Sequence, residues 1–195
     1  ARQIAEPFRL FDCSPISDGA AALVVASKEW AKAHGAVKPV DVLATGLASG
    51  PVSAEDLESF VSLPAVVRAA GDAYTKAGVT PAEVGVAEVH DCFTAAEWVA
   101  LEDLGLFERG TAAAATSDGA TQLGGSSCTI NPSGGLLSKG HPVGATGVSM
   151  MVEVSKQLRG EAGKRQAQIK NGNGLVHNVG GTGHYCYVTV LSRDR

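Results

Sequence analysis

Short apolar runs alternate along this chain with stretches of helical period, and glycine or proline marks nearly every boundary between them. Between residues 8 and 27 the turn formers Asp12, Cys13, Ser14 and Pro15, then Asp18 and Gly19, lead into an Ala-Ala-Ala-Leu-Val-Val-Ala run at 20–26. Such a run after turn residues predicts a fully buried strand with a helical lead-in. Residues 28–34 predict a short surface helix stopped by Gly35, and 40–50 a second buried strand that ends in a glycine-rich loop. In 63–77, Val66, Val67, Ala70, Tyr74 and Ala77 recur at helical spacing, and Gly78 closes the helix. Thr80-Pro81-Ala82-Glu83 has the form of a capping box with proline at the first helical position, ahead of a strand at 84–89.

Residues 93–104 predict another amphipathic helix, 111–127 a long polar surface excursion, and 128–131 an extended core segment. A glycine-dense loop at 134–147 then opens a helix whose apolar face is Val148, Met151, Val152, Ser155 and Leu158, with Gly160 as its stop. The basic stretch 164–170 predicts a solvated connection. Two closing strands follow at 174–179 and 185–191, joined by Gly180-Gly181-Thr182-Gly183. Strands alternating with helices before a final strand pair predict an α/β layered domain with a mixed sheet and no internal repeat.

Composition narrows the function classes. At 195 residues, a chain can bury roughly 70% of its unfolded surface in one large domain. With 45% apolar residues, 18% charged and a net charge of −4, it does not predict a nucleic-acid or membrane-surface binder. No apolar stretch reaches the ~20 residues that cross a bilayer. The opening residues lack a signal-peptide layout, Ser192-Arg193-Asp194-Arg195 is no peroxisomal address, and a cytoplasmic setting is expected. Cysteines at 13, 92, 128 and 186 are widely spaced without a metal-type pair, so reduced thiols are expected.

Three loops at predicted strand ends carry unusual polar residues: His90-Asp91-Cys92-Phe93, residues 140–147 around His141, and residues 177–181 ending in Gly180-Gly181. In open α/β sheets ligands gather outside the carboxyl ends of strands. Two readings fit the first loop: an imidazole and a thiol that polarise a carbonyl and move a proton, or a histidine that satisfies backbone groups beside a small buried thiol. Zinc at His90 and Cys92 lacks a third ligand, and no metal is expected. In the second loop, glycines flanking His141-Pro142 let backbone approach closely while the proline aims the imidazole, which suits a general base toward a thiol or thioester. Its spacing is not the G-x-G-x-x-G dinucleotide fingerprint. The third loop fits either a backbone donor to an oxyanion or a tight hairpin.

Taken together and in this order, these residues resemble the thiolase superfamily, in particular the thiolase joined to sterol carrier protein 2. The resemblance runs from Asp12 to Val190. It is carried by Asp12-Cys13-Ser14-Pro15 with Asp18-Gly19, His90-Asp91-Cys92-Phe93, and Asn131-Pro132-Ser133-Gly134-Gly135 through Gly140-His141-Pro142. Gln157-Leu158-Arg159-Gly160 and His177-Asn178 complete it. It implies a five-layer α/β/α/β/α sandwich of two similar halves, usually dimeric. Residues 1–36 are then the end of the N-terminal half, and 37–195 a C-terminal domain with a five-stranded mixed sheet flanked by helices.

The implied activity is that of an acetyl-CoA C-acyltransferase. A cysteine thiolate attacks a 3-oxoacyl-CoA, acetyl-CoA leaves, and the shortened acyl group passes to coenzyme A, which acts as substrate; no covalently bound cofactor is implied. By the same resemblance His141 activates the nucleophile and binds the thioester oxygen, and His90 completes that oxyanion hole. Asn178 stands where common thiolases have an acid/base cysteine, so Cys92 is the implied proton shuttle, with a thiol pKa lowered by histidine or a helix N-terminus. Gly180 is the implied backbone donor of a second oxyanion hole. The half bearing the nucleophile is not among these residues, so thiolysis is expected only with an N-terminal half as partner. Tyr185 and Tyr187 depart from the family pattern and leave room for a retro-aldolase acting on a steroid side-chain acyl-CoA; a non-catalytic scaffold is the third reading.

Overall fold

The structure, a computed structural model, describes residues 1–193. A small hairpin of β1 (Gln3–Ala5) and β2 (Phe8–Arg9) opens the chain, and α1 (Lys28–Ala33) follows an extended segment. The remaining elements are β3 (Asp41–Ser49), α2 (Pro64–Ala77), β4 (Val84–Glu88), α3 (Thr94–Asp103), α4 (Ala112–Ser117), β5 (Thr129–Ile130) and α5 (Gly135–Lys139). After them come α6 (Thr146–Arg159), β6 (Asn173–Gly180) and β7 (Tyr185–Ser192). Five strands form one sheet in the order β3-β7-β6-β4-β5. β4 runs parallel to β5 and β6, whereas β7 is antiparallel to both β6 and β3, so the sheet is mixed as the alternation of elements implies.

Helices cover both faces. Ala44, Val188, Leu175, Ala87 and Val89 point toward α2 and Leu101 of α3, while Val86, Val176 and Leu191 pack on Met150, Val154 and Leu158 of α6. The close fit of α2 follows from its composition: Ala65, Ala69, Ala70 and Ala73 are buried, and small side chains let the helix backbone approach the sheet. Gly46 of β3 meets it there, since a Cβ at that position would run into the Ala69 carbonyl. Left-handed glycines end α2 at Gly78 and α6 at Gly160, and Thr80 with Glu83 makes the reciprocal capping box that the sequence predicts.

Several expectations are corrected. Residues 20–26 form no strand, and Val24 and Val25 are 86% and 77% exposed, because none of the described strands pairs with them. β3 is an edge strand with Val42 and Leu47 in solvent, since α6 covers β6 and β4 but leaves this end of the face bare. The inward face of α6 is turned from the one predicted: Met150, Glu153, Val154, Gln157 and Leu158 are buried. Polar Glu153 and Gln157 go inside because Arg165, the Arg165 carbonyl and the Ala167 N–H satisfy them. For the same reason 164–170 is no simple solvated connection, as Ala167 and Ile169 are buried in the α6 cluster. The excursion at 111–127 contains α4. Of the C-terminal tail, Asp194 and Arg195 lie outside the described residues.

Because Gly46 has no room for a side chain, Gly46→Ala is expected to lower stability by about 1–3 kcal/mol. Urea unfolding checks this as a lower midpoint at unchanged slope.

Candidate active site

β4 delivers the first motif at its carboxyl end, between β6 and β5. Asn131, in the left-handed region at φ 48, accepts the Val89 N–H with its side-chain oxygen at 2.8 Å and donates to Glu97 at 2.8 Å. The backbone is thereby held where β4 ends and the His90-Asp91-Cys92-Phe93 turn begins. Asp91, 2% exposed, reaches across to accept the Leu136 N–H at 2.7 Å at the start of α5. At its other end α5 runs into Gly140 and His141. The 12–17 segment braces both loops: Ser14 N–H donates to the Cys92 carbonyl at 2.9 Å, and His141 N–H donates to the Pro15 carbonyl at 3.3 Å.

These braces bring His90, Cys92, His141 and Gly180 to the wall of one cavity of about 650 Å³, with His177, Asn178, Tyr185 and Tyr187 beside them. The His90 and His141 rings meet edge to face with centroids 5.0 Å apart. Thr146 fixes the His141 tautomer. Its hydroxyl donates to the Pro142 carbonyl at 3.1 Å, so it can only accept from His141 Nδ1–H at 2.7 Å, and the Nε2 lone pair of His141 stays free. His90 is held by Asn178, whose side-chain oxygen lies 2.9 Å from Nδ1, so the proton sits on Nδ1 and Nε2 is an acceptor. An oxyanion donor must show an N–H; His141 gains one on taking a proton, whereas neutral His90 shows one at Nε2 when the Asn178 amide is reversed.

Burial sets the charge states. It pushes His90 down to about 4, with His141 adding to the effect, and pulls His141 down as well. Cys92 departs from expectation: its thiol is raised, first by burial and then by the Asp91 carboxylate, which together outweigh the N–H groups of Phe93 and Cys92. At neutral pH the cavity therefore holds neutral imidazoles and a protonated thiol. That is a base with a free lone pair next to an acid.

Motif reasoning gives no role to His177, Thr146 or Glu88. His177 is legible in the third candidate loop and the His177-Asn178 pair, but with no role assigned to it. Glu88, fully buried, accepts the Ser133 N–H at 3.0 Å and its hydroxyl at 2.7 Å, which pins the loop ahead of α5.

A mixed five-stranded sheet with helices on both faces and motif loops converging at the strand ends is a thiolase-like α/β domain. Residues 47–193 match the family described as Thiolase C-terminal domain-like, and the chain belongs to that family. It is 45% identical over 190 residues to an acetyl-CoA acetyltransferase of Methanothermobacter thermautotrophicus, covering 97% of this chain and 49% of that protein. It is 41% identical to sterol carrier protein 2 of Oryctolagus cuniculus, over 92% of this chain and 33% of the relative. The chain thus spans half or less of the length of these relatives. Among solved structures, an Ltp2-ChsH2(DUF35) aldolase superposes with a TM-score of 0.83 at 25% identity, covering all of this chain and 50% of its own. An acetyl-CoA acetyltransferase of Bacillus anthracis gives 0.64 over 93% of this chain and 37% of its own, and at 19% identity shows the fold alone.

Burial raises the Glu88 carboxyl from 4.5 to about 7, against the opposing pull of Ser133 and Lys139. The folded state then holds a proton that the unfolded state has lost. This contribution to stability is complete below about pH 4.5 and disappears as pH rises through 7. Glu88→Gln is expected to flatten the fall in urea midpoint between pH 5 and 8, by at most about 3 kcal/mol.

Proposed function

We propose that this chain is the acid/base half of an acyl-CoA thiolase, cleaving a 3-oxoacyl-CoA with coenzyme A. The nucleophilic cysteine comes from residues outside this chain, either on the same polypeptide or on a partner. The observation that carries this reading is the convergence of His90, Cys92, His141 and Gly180 on one cavity from three separate parts of the chain.

His141 Nε2 takes the proton of the nucleophilic thiol, and the resulting imidazolium N–H then donates to the oxygen of the attacked carbonyl. When the carbon–carbon bond breaks, the electron pair goes to the acetyl-CoA enolate, and Cys92 gives its proton to that carbon. A thiol with a raised pKa suits this step, because its proton stays on until a strong base forms. The Cys92 thiolate then takes the proton of the coenzyme A thiol as its sulfur attacks the acyl-enzyme, and the nucleophile leaves. The Gly180 N–H faces the enolate oxygen. Coenzyme A is here a substrate.

The exposed apolar residues Val24, Val25, Val42 and Leu47 support a partner half that covers them, as does a match that covers 49% of the archaeal relative. Tyr185 and Tyr187 on the same cavity, and the likeness to an aldolase, favour a second reading as a retro-aldolase subunit. His141 with its free Nε2 weighs toward thiolysis, which needs a base for a thiol.

In the intact protein, His141→Ala and Cys92→Ala are each expected to lower kcat for coenzyme A-dependent cleavage by about 100-fold or more, with the melting temperature little changed. Unaltered kcat in both variants would return the chain to a scaffold role. Tyr185→Phe and Tyr187→Phe are expected to keep thiolysis; loss of activity on a 3-hydroxyacyl-CoA in these two variants, with no thiolysis in the parent, would favour the aldolase.

A further inference from the structure

The turn that carries His90 and Cys92 is closed by a side chain from outside it. Asn131 follows β5, and its main-chain N–H donates to the Ala87 carbonyl of β4 at 2.8 Å. Its side-chain oxygen accepts the N–H of Val89, the residue just before the turn, at 2.8 Å. A main-chain N–H can only donate, so the orientation of the Asn131 amide is set and Nδ2 faces the other way. Nδ2 donates to Glu97 Oε2 at 2.8 Å, in the first turn of α3 and just past the His90–Phe93 turn. A single amide thus brackets the acid/base turn at its entry and its exit.

The start of α3 has little else to hold it. Its N-cap Phe93 offers no side-chain cap, and the Thr94 hydroxyl reaches Asp12 only at 3.4 Å, so Glu97 makes the shorter of the two side-chain contacts there. Asn131 also sits at φ 48, in the left-handed region that asparagine tolerates and most other side chains do not. Glycine at 131 would satisfy that backbone but lose the bracket. Burial, and after it the Asp91 charge, raise the Glu97 carboxyl to about 7 against the pull of Asn131. A protonated carboxyl still accepts through its carbonyl oxygen, so the contact survives in both charge states. Neither Asn131 nor Glu97 is on the cavity wall.

We propose that Asn131 and Glu97 are positioning residues for the acid/base turn: together they fix where His90 and Cys92 stand in the cavity, without touching a substrate. The proposal rests on the thiolase reading above and adds the pair that aims its proton donor. Asp91 ties the turn to α5 from the middle, whereas Asn131 and Glu97 set its two ends. A turn held only at its middle can pivot, and a misplacement of about 1 Å at a reacting group costs on the order of 100-fold in rate. Binding of the acyl-CoA draws on the whole cavity, so loss of the bracket is read in kcat and not in KM.

The test uses the intact protein. Glu97→Ala is expected to lower kcat for coenzyme A-dependent cleavage by roughly 10- to 100-fold while KM stays within about twofold. Glu97→Gln, whose amide oxygen accepts the same Asn131 N–H, is expected to recover most of that loss. Asn131→Gly keeps the left-handed backbone and removes the bracket, and is expected to lose at least as much kcat as Glu97→Ala. With 15N-labelled histidine and 13C-labelled cysteine, the His90 ring and Cys92 Cβ resonances are expected to move in Glu97→Ala and to return in Glu97→Gln. The His184 ring, held by the Gly50 carbonyl at 2.7 Å, is expected to stay in place throughout. A lower melting temperature with kcat and the two resonances as in the parent is the mark of a merely structural role and overturns the proposal. So does a loss of kcat that Glu97→Gln leaves unrecovered. Should Glu97→Ala not fold, Asn131→Gly decides by the same readouts. If the parent cleaves no 3-oxoacyl-CoA, the thiolase reading fails, and the His90 and Cys92 resonances alone decide whether the bracket positions the turn.

Discussion

The site hangs on one buried carboxylate. Asp91 accepts the Leu136 N–H at 2.7 Å and lies 3.5 Å from that of Leu137, so the turn that carries His90 and Cys92 is tied to the helix that delivers His141. The tie constrains the sequence around it. Gly135 sits at φ +61 directly beneath the carboxylate, where a Cβ would strike it, and Gly140 at φ +94 leaves space that Ser17 fills. Glycine around His141 is therefore a steric requirement at identifiable atoms. The carboxylate also carries an electrostatic cost: burial raises its pKa, and the main-chain N–H groups with Lys139 offset that only in part.

From this tie follows the division of charge in the cavity. Asp91 disfavours ionisation of Cys92 and favours protonation of His141, while burial works against every charged form. A thiol that keeps its proton and imidazoles that stay neutral need no counterion, which an apolar cavity could not supply. The expectation of a lowered thiol pKa fails here because it counts on a neighbouring histidine or a helix N-terminus and leaves out burial, the larger cause, and then Asp91, one residue away. For the proton-donor role proposed for Cys92 the raised value is no handicap, because it makes the thiolate a stronger base when the proton must return.

Much of the fold is legible in the sequence because glycine and proline mark its boundaries. Gly78 and Gly160 end their helices in the left-handed conformation, and Thr80 and Glu83 cap as their spacing says. Three motif loops are legible as candidates, and geometry brings them together. What is not legible depends on partners. The apolar run at 20–26 has the pattern of a buried strand, but burial needs a second surface, and none of the described strands provides it. The predicted face of α6 follows hydropathy alone, whereas the real one buries Glu153 and Gln157, whose hydrogen bonds come from residues 165–167 that local periodicity does not see. His177 is legible as the first residue of the third loop but without a role of its own, because its tautomer depends on the His90 N–H, 87 residues earlier in the chain.

The two faces of β6 carry the argument further. Val176, Asn178 and Gly180 alternate with Leu175, His177 and Val179, so a single strand sends an amide to one side and an imidazole to the other at the same level of the sheet. Both side chains grip His90, one through its ring and one through its main chain. A shift of β6 by one residue would exchange the two faces and break both contacts at once. β7 guards that register on one side, pairing residue by residue from Asn173 with Ser192 to Gly180 with Tyr185, and β4 guards it on the other. The closing hairpin, which in sequence reads as the end of a sheet, thus adds a second hold on His90 beside the tie that Asp91 makes to α5.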